Sequence, residues 1–170
     1  MLGSQLVYKT VKGQIIVSTR PVRTVEASEA QKRQIRKFKY ATAYAKGAIA
    51  DDLLGPIYAE AATRLNRVNS AYHLALTDYL KSPEIGDLDL TGSMAGHPIL
   101  VEAYEDPKLD KVEVTILDGT EAEVAVGEAM LTVNGIQWEY VLPTAIPDEG
   151  KIVVRAYDLP GNVSTKVFDL

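Results

Sequence analysis

The apolar positions of this chain change their period twice. Near its start they alternate: Leu6, Tyr8 and Thr10 against Val7 and Lys9, then Ile15 and Val17 against Ile16 and Ser18. That is the period of a strand. The runs Gln5–Thr10 and Gln14–Thr19, joined through Val11-Lys12-Gly13, predict a β-hairpin with one face buried and the other partly so. Pro21, after Arg20, ends it, because proline donates nothing to a ladder. A two-stranded hairpin is marginal in water by itself, so it is expected to pack on something.

From Ser28 the spacing turns to three and four. Ser28 and Gln31 form a capping-box pattern that opens a helix. At roughly 100° per residue, Ala30, Ile35, Phe38, Ala41, Ala45 and Ile49 share one arc. Lys32, Arg33, Arg36, Lys37, Lys39 and Lys46 take the other, with Tyr40 and Tyr44 among them. The expectation is an apolar face packed inward and a cationic, aromatic face outward. Gly55-Pro56 stops this helix. Ile57, Ala61, Leu65, Val68, Tyr72, Leu76 and Tyr79 then predict a single long helix to Lys81, with Asn69-Ser70 capping a separate helix as the alternative. The short Gly-Pro connection predicts an antiparallel helical hairpin.

Ser82-Pro83 closes the helical region, and the period returns to two. Strands are expected at 86–90, 99–103, 111–117, 121–126, 129–133, 137–142, 151–157 and 162–168. They are separated by turn signals such as Asp118-Gly119, Asn134-Gly135, Asp148-Glu149-Gly150 and Pro160-Gly161-Asn162. Seven or so short strands at this spacing predict an antiparallel β-sandwich. Val112, Val114, Ile116, Ile152, Val154 and Ala156 are its inward candidates, Lys111, Glu113 and Thr115 point out, and Trp138 is the large core anchor. The expected division is therefore 1–82, hairpin and helices, and 83–170, sandwich.

Four stretches carry a resemblance: Ile99-x-Val101-x-Ala103, Val112-x-Val114-x-Ile116-x-Asp118-Gly119, Trp138-x-Tyr140, and Ile152-x-Val154-x-Ala156-x-Asp158-x-x-Gly161-Asn162. On these the C-terminal half resembles a bacterial immunoglobulin-like domain, which implies an α+β chain ending in an immunoglobulin-like antiparallel β-sandwich. It implies no single role, since that sandwich hosts adhesion, spacer and structural functions. The N-terminal half, on Gly3, Tyr8, Gly13, Ile16, Pro21, Gln31 and Phe38, resembles a family of uncharacterised bacterial proteins, and this implies no site.

Composition narrows the classes. With 170 residues, 46% of them hydrophobic and 24% charged, the chain can bury a core without disulfides or a structural metal. It has no cysteine, which excludes disulfides, thiol catalysis and thiolate metal sites. No stretch approaches the ~20 apolar residues of a membrane-spanning helix, and none near the start has signal-peptide length. A cytoplasmic location is expected, with export by another route left open. The net charge of −5 hides a division: residues 1–46 carry ten Lys/Arg against Glu26 and Glu29, whereas residues 83–170 carry five against seventeen Asp/Glu. The chain is a basic head on an acidic body.

Chemistry is sparse. There is no Gly-x-Ser-x-Gly, P-loop, Gly-x-Gly-x-x-Gly or His-Glu-x-x-His, so no enzyme, cofactor or small-molecule substrate is expected. His73 and His97, far apart and without cysteine partners, are expected to be structural or solvated rather than zinc ligands. Glu102, Glu105, Asp106, Asp110 and Asp158 suit calcium in their atom type, but their spacing matches no defined loop, and an acidic surface with a turn at Pro107 explains them equally. The sharpest signal is Lys32, Arg33, Arg36, Lys37 and Lys39 interleaved with Tyr40 and Tyr44. That surface suits the acidic body of another copy, giving head-to-tail self-assembly into a filament or other large homo-oligomer. The alternative is nucleic acid, through phosphate contacts and base stacking. A third reading, an adhesion module for sugar or calcium, needs an export signal that is not evident. No membrane partner is expected.

Overall fold

The computed structural model describes residues 6–19, 25–65, 70–91, 94–147 and 149–170. Arg20, Pro21 and Gly3, on which the strand end and part of the N-terminal pattern rest, lie outside the described residues, as do Val68, Asn69 and Asp148. The chain divides into two compact units, Met1–Ile35 and Arg36–Leu170.

In the first unit, β1 (Leu6–Val11) and β2 (Gln14–Thr19) pair antiparallel from Leu6↔Thr19 to Val11↔Gln14 without a shift. Lys12 and Gly13 make the turn, both at positive φ (50° and 80°), the handedness that matches the twist of the flanking strands. The expected buried face is not there. Every described side chain of the hairpin is exposed, with Ile15 at 72% and Tyr8 at 68%. The capping box forms as expected: Gln31 N donates to Ser28 Oγ (3.3 Å) and Ser28 N to Gln31 Oε1 (3.1 Å).

Helix α1 (Glu29–Ala50) starts at that cap. Its expected apolar arc is only partly buried: Ala41, Ala45 and Ala48 are covered, whereas Ala30, Ile35, Phe38 and Ile49 are exposed. Burial follows what packs alongside: in the second unit α2 (Leu54–Leu65) and α3 (Ala71–Leu80) form a core with α1 at Ala45 and Ala48. Asp51 ends α1 and starts α2, its Oδ1 accepting from Leu53 N and Leu54 N (2.9 Å each). Gly55-Pro56 therefore lies in the first turn of α2, where proline is tolerated, rather than at the stop.

The single helix expected over 57–81 is also corrected. Ser70, in extended backbone (φ −166°, ψ 156°), caps α3 by accepting from His73 N, so two helices stand where continuous spacing suggested one. The three helices share a core of Ala45, Ala48, Tyr58, Ala61, Leu74 and Ala75.

Seven antiparallel strands follow, in spatial order β3-β4-β7-β6-β5-β8-β9. They are β3 (Glu84–Asp89), β4 (Pro98–Tyr104), β5 (Leu109–Leu117), β6 (Glu123–Leu131), β7 (Gln137–Val141), β8 (Lys151–Asp158) and β9 (Val163–Asp169). The strands expected at 121–126 and 129–133 are one strand, β6, which changes sheets: Glu123–Ala129 pairs with β5, and Met130 and Leu131 pair with β7. This exchange makes two sheets, and an immunoglobulin-like β-sandwich, from one strand order. All six inward candidates are fully buried, and Trp138 lies among them with its Nε1 donating to Ala103 O (3.0 Å). Thr115, expected outward, is only 5% exposed because Arg155 lies across it, Nη1 bonding Thr115 Oγ1 (3.3 Å) and Glu113 Oε1 (3.2 Å).

Ser82-Pro83 falls between α3 and β3, inside the second unit. Asn162, in the β8–β9 turn, spans this point with its Nδ2 donating to Lys81 O (2.7 Å), and Leu159 packs against the helical core. Arg64 Nη2 donates to Pro107 O (3.3 Å) from the other side. The change of period thus marks a change of element within one folded body.

Candidate functional site

The cationic residues of α1 are placed differently from one another. In the first unit Lys32 is engaged locally, Nζ lying 2.9 Å from Glu26 Oε1 and 3.0 Å from Glu29 Oε1, which raises its pKa. Arg33 is exposed. In the second unit Arg36, Lys39, Tyr40 and Lys46 are exposed, whereas Lys37 Nζ donates to Leu80 O (3.0 Å) at the end of α3. Tyr44 departs from expectation. It lies three residues after Ala41 and four before Ala48, on the buried stripe, so its ring packs on Tyr58 and Tyr79 and its hydroxyl meets Tyr58 Oη at 2.8 Å. It belongs to the core.

That contact begins a hydrogen-bonded chain through all three helices. The fully buried Tyr58 donates to Asp78 Oδ2 at 2.5 Å. Asp78 is 1% exposed, and its other oxygen, Oδ1, has no hydrogen-bond partner among the described residues. Around it the fold gathers further carboxylates. Asp158, buried at the end of β8, accepts from Asn162 N (2.6 Å) and Nδ2 (2.7 Å), while Glu105 and Asp106 follow β4. Burial pushes Asp78 up to about 7 against the lowering effect of the Tyr58 bond, and the charges of Asp158, Glu105 and Asp106 add to it. Burial likewise takes Glu105 to about 7, helped by Asp158 and opposed by Lys81. Asp158 is raised by burial too, its bonds from Asn162 working the other way.

Asp78, Glu105 and Asp106, but not Asp158, border a cavity of about 310 Å³ in the second unit. Asp78, Glu84, Glu105 and Asp106 line it with Lys81, and Leu65 and Leu74 supply apolar wall. Tyr104 hydrogen-bonds Glu84 across its rim, and Asp106 lies 3.7 Å from Arg64. The site can hold a proton near neutral pH and attract a cation.

Of the calcium candidates, Glu105, Asp106 and Asp158 come together here, whereas Glu102 lies beside Gly86 and Asp110 is exposed on β5. Among the described residues, no group of three or more His, Asp or Glu converges closely enough to hold a metal ion. His73 is exposed with Nδ1 2.9 Å from Ser70 Oγ, and His97 is exposed in its loop. Asp78 and Tyr58 were missed. Their one signal is an acid three and four residues from Ala75 and Leu74, on the apolar face of α3.

No family model matches the chain, the N-terminal pattern included, and no curated protein matches it by sequence. Among solved structures, the CopC crystal structure from Methylosinus trichosporium OB3b shares 14% identity over 51% of this chain and 89% of its own, with a TM-score of 0.39. The N-terminal part of the bacterial S-layer protein SbsC shares 15% identity over 83% of this chain and 41% of its own (TM-score 0.37). Domains 1–6 of SbsC share 15% identity over 84% and 24% (TM-score 0.37). The chain spans less than half of either S-layer structure. These overlaps are loose, and the reading of function rests on the chain's own residues. None of the described helices is long and apolar enough to cross a membrane.

Proposed function

We propose that this is a non-enzymatic structural protein that assembles head to tail, the hairpin β1–β2 of one copy adding to the sandwich of the next. The observation that carries this is the exposure of both hairpin faces, with Tyr8, Ile15, Ile16 and Val17 all outward on a two-stranded sheet with open edges. The occupant is a second copy on grounds of charge and edge. The head carries ten cations against two acids, and the sandwich carries seventeen acids against five cations. Strand β9 ends the strand order, seven residues paired to β8 in unbroken register without proline or bulge, its Lys166 Nζ donating to Gly86 O of β3 (2.6 Å), and its outer backbone is the edge the hairpin would add to. By contrast β3, at the other edge, is broken by a register shift after Ile85. A head-to-tail contact that does not close gives a filament, and one that closes gives a large ring.

Sedimentation across protein concentration tests this. Assemblies should grow with concentration and dissolve with salt, and both Ile15→Lys and Arg36→Glu should shift the chain to monomer. A sharp monomer at every concentration sinks the proposal. If purified chain instead shifts nucleic acid at low salt while remaining monomeric, the cationic residues of α1 serve that partner.

A further inference from the structure

We propose that the cavity bordered by Asp78 is a binding site for a primary alkylammonium group, its charged end taken by Asp78 and Glu105 and its carbon stem by Leu65 and Leu74. An acidic cluster alone would say only that the surface is negative. The second observation is Asp78 itself, almost wholly buried, lining the cavity, and left with one oxygen unpartnered among the described residues. A buried carboxylate oxygen without a donor is unfavourable, and a ligand with several N–H donors and a positive charge corrects both defects at once. The lining matches that ligand in its other parts. Among the described lining residues four carboxylates face one ammonium, Lys81, a balance that favours a cation over an anion. Glu84 is already bonded by Tyr104 and Asp106 lies near Arg64, which leaves Asp78 Oδ1 and Glu105 as the receiving groups. A bare divalent metal is a poor fit, because three carboxylates do not converge on one point among the described residues. The apolar walls give a metal ion nothing, whereas an alkyl stem buries against them.

The inference does not depend on self-assembly. An alkylammonium can be a free small amine or a lysine side chain of another copy, and one experiment separates the two. The full chain is titrated calorimetrically with butylamine at about pH 8, where Asp78 and Glu105 are ionised, with calcium chloride as control. The expected result is saturable binding of one butylammonium per chain, weakened at least about tenfold by Asp78→Asn and by Glu105→Gln. It should be unchanged by Arg33→Glu. Absence of saturable binding overturns the proposal, as does unaltered affinity in Asp78→Asn, or binding of calcium without butylammonium. Sedimentation of the same samples assigns the source: if butylamine and Asp78→Asn both dissolve assemblies, the natural occupant is a lysine of a second copy. If assembly is untouched, it is a free amine.

Discussion

Replacing Asp78 with asparagine tests the junction most directly, because the substitution keeps an acceptor for the Tyr58 hydroxyl and removes the charge, putting an amide NH2 in place of the other oxygen. In the folded chain burial raises the Asp78 carboxyl from 3.8 to about 7. A difference of roughly three pH units corresponds to about 4 kcal/mol, at 1.36 kcal/mol each. Glu105 and Asp158 share the same field, so the protons leave as a cluster, and about 2 to 3 kcal/mol is a fair share for Asp78 alone. The sign follows from which state binds the proton more tightly. Here it is the folded state, so the stabilisation is complete below about pH 4 and is lost as pH rises through about 7. Urea unfolding between about pH 5 and pH 8 should therefore show the natural chain weakening as pH rises. Asp78→Asn should match it near pH 5 and exceed it by about 2 to 3 kcal/mol at pH 8. A natural chain that gains stability over that range, or a variant that is weaker at pH 8, refutes the assignment of Asp78 as a buried, destabilised carboxylate.

Three further substitutions test the packing and capping elsewhere in the second unit. Trp138→Ala removes the largest core side chain of the sandwich and the donor to Ala103 O, and should cost about 3 to 5 kcal/mol in urea unfolding. Gly150→Ala places a methyl 2.5 Å from Leu117 O, a backbone atom with no room to yield, and should lower stability by about 1 to 3 kcal/mol. Ser70→Ala deletes the cap of α3 and should cost about 1 kcal/mol, seen as a lowered melting temperature without a change in far-ultraviolet helix signal at low temperature.

The sandwich was legible because its central strands β5 and β8 carry apolar side chains at alternate positions, Val112, Val114 and Ile116 on one and Ile152, Val154 and Ala156 on the other, and all six are fully buried. Turn residues mark their ends. What failed was decided by neighbours in space. Gly127 looks like a turn between two strands, but it sits in the middle of β6 where a Cβ would meet the ring of Tyr140 at 2.9 Å. The apolar spacing from Ile57 to Tyr79 runs on across the break between α2 and α3, so period alone reported one helix, and only the chemistry of Ser70 reported two. The arc drawn on α1 was right in direction at Ala41 and Ala45 and wrong in extent. Which neighbours cover Ala45 and Ala48, side chains of α2 and α3, is not written in α1.

The junction was the least legible part, and its physics gives it a distinct meaning. In the pattern of α3 only the place of Asp78 on the apolar face, three and four residues from Ala75 and Leu74, separates it from a solvated acid, and its partners Tyr58, Asn162 and Glu105 come round it from three distant parts of the chain. Once there, it is the wrong residue for stability alone. An asparagine serves Tyr58 as well and carries no buried charge at neutral pH. What aspartate supplies and asparagine does not is a negative charge bordering a cavity, with one oxygen unpartnered. Among the described residues no donor satisfies that oxygen, and protonation satisfies the charge only below about pH 7. Above that pH an incoming cation does so, which is why stability and ligand affinity should respond to the same substitution in opposite directions.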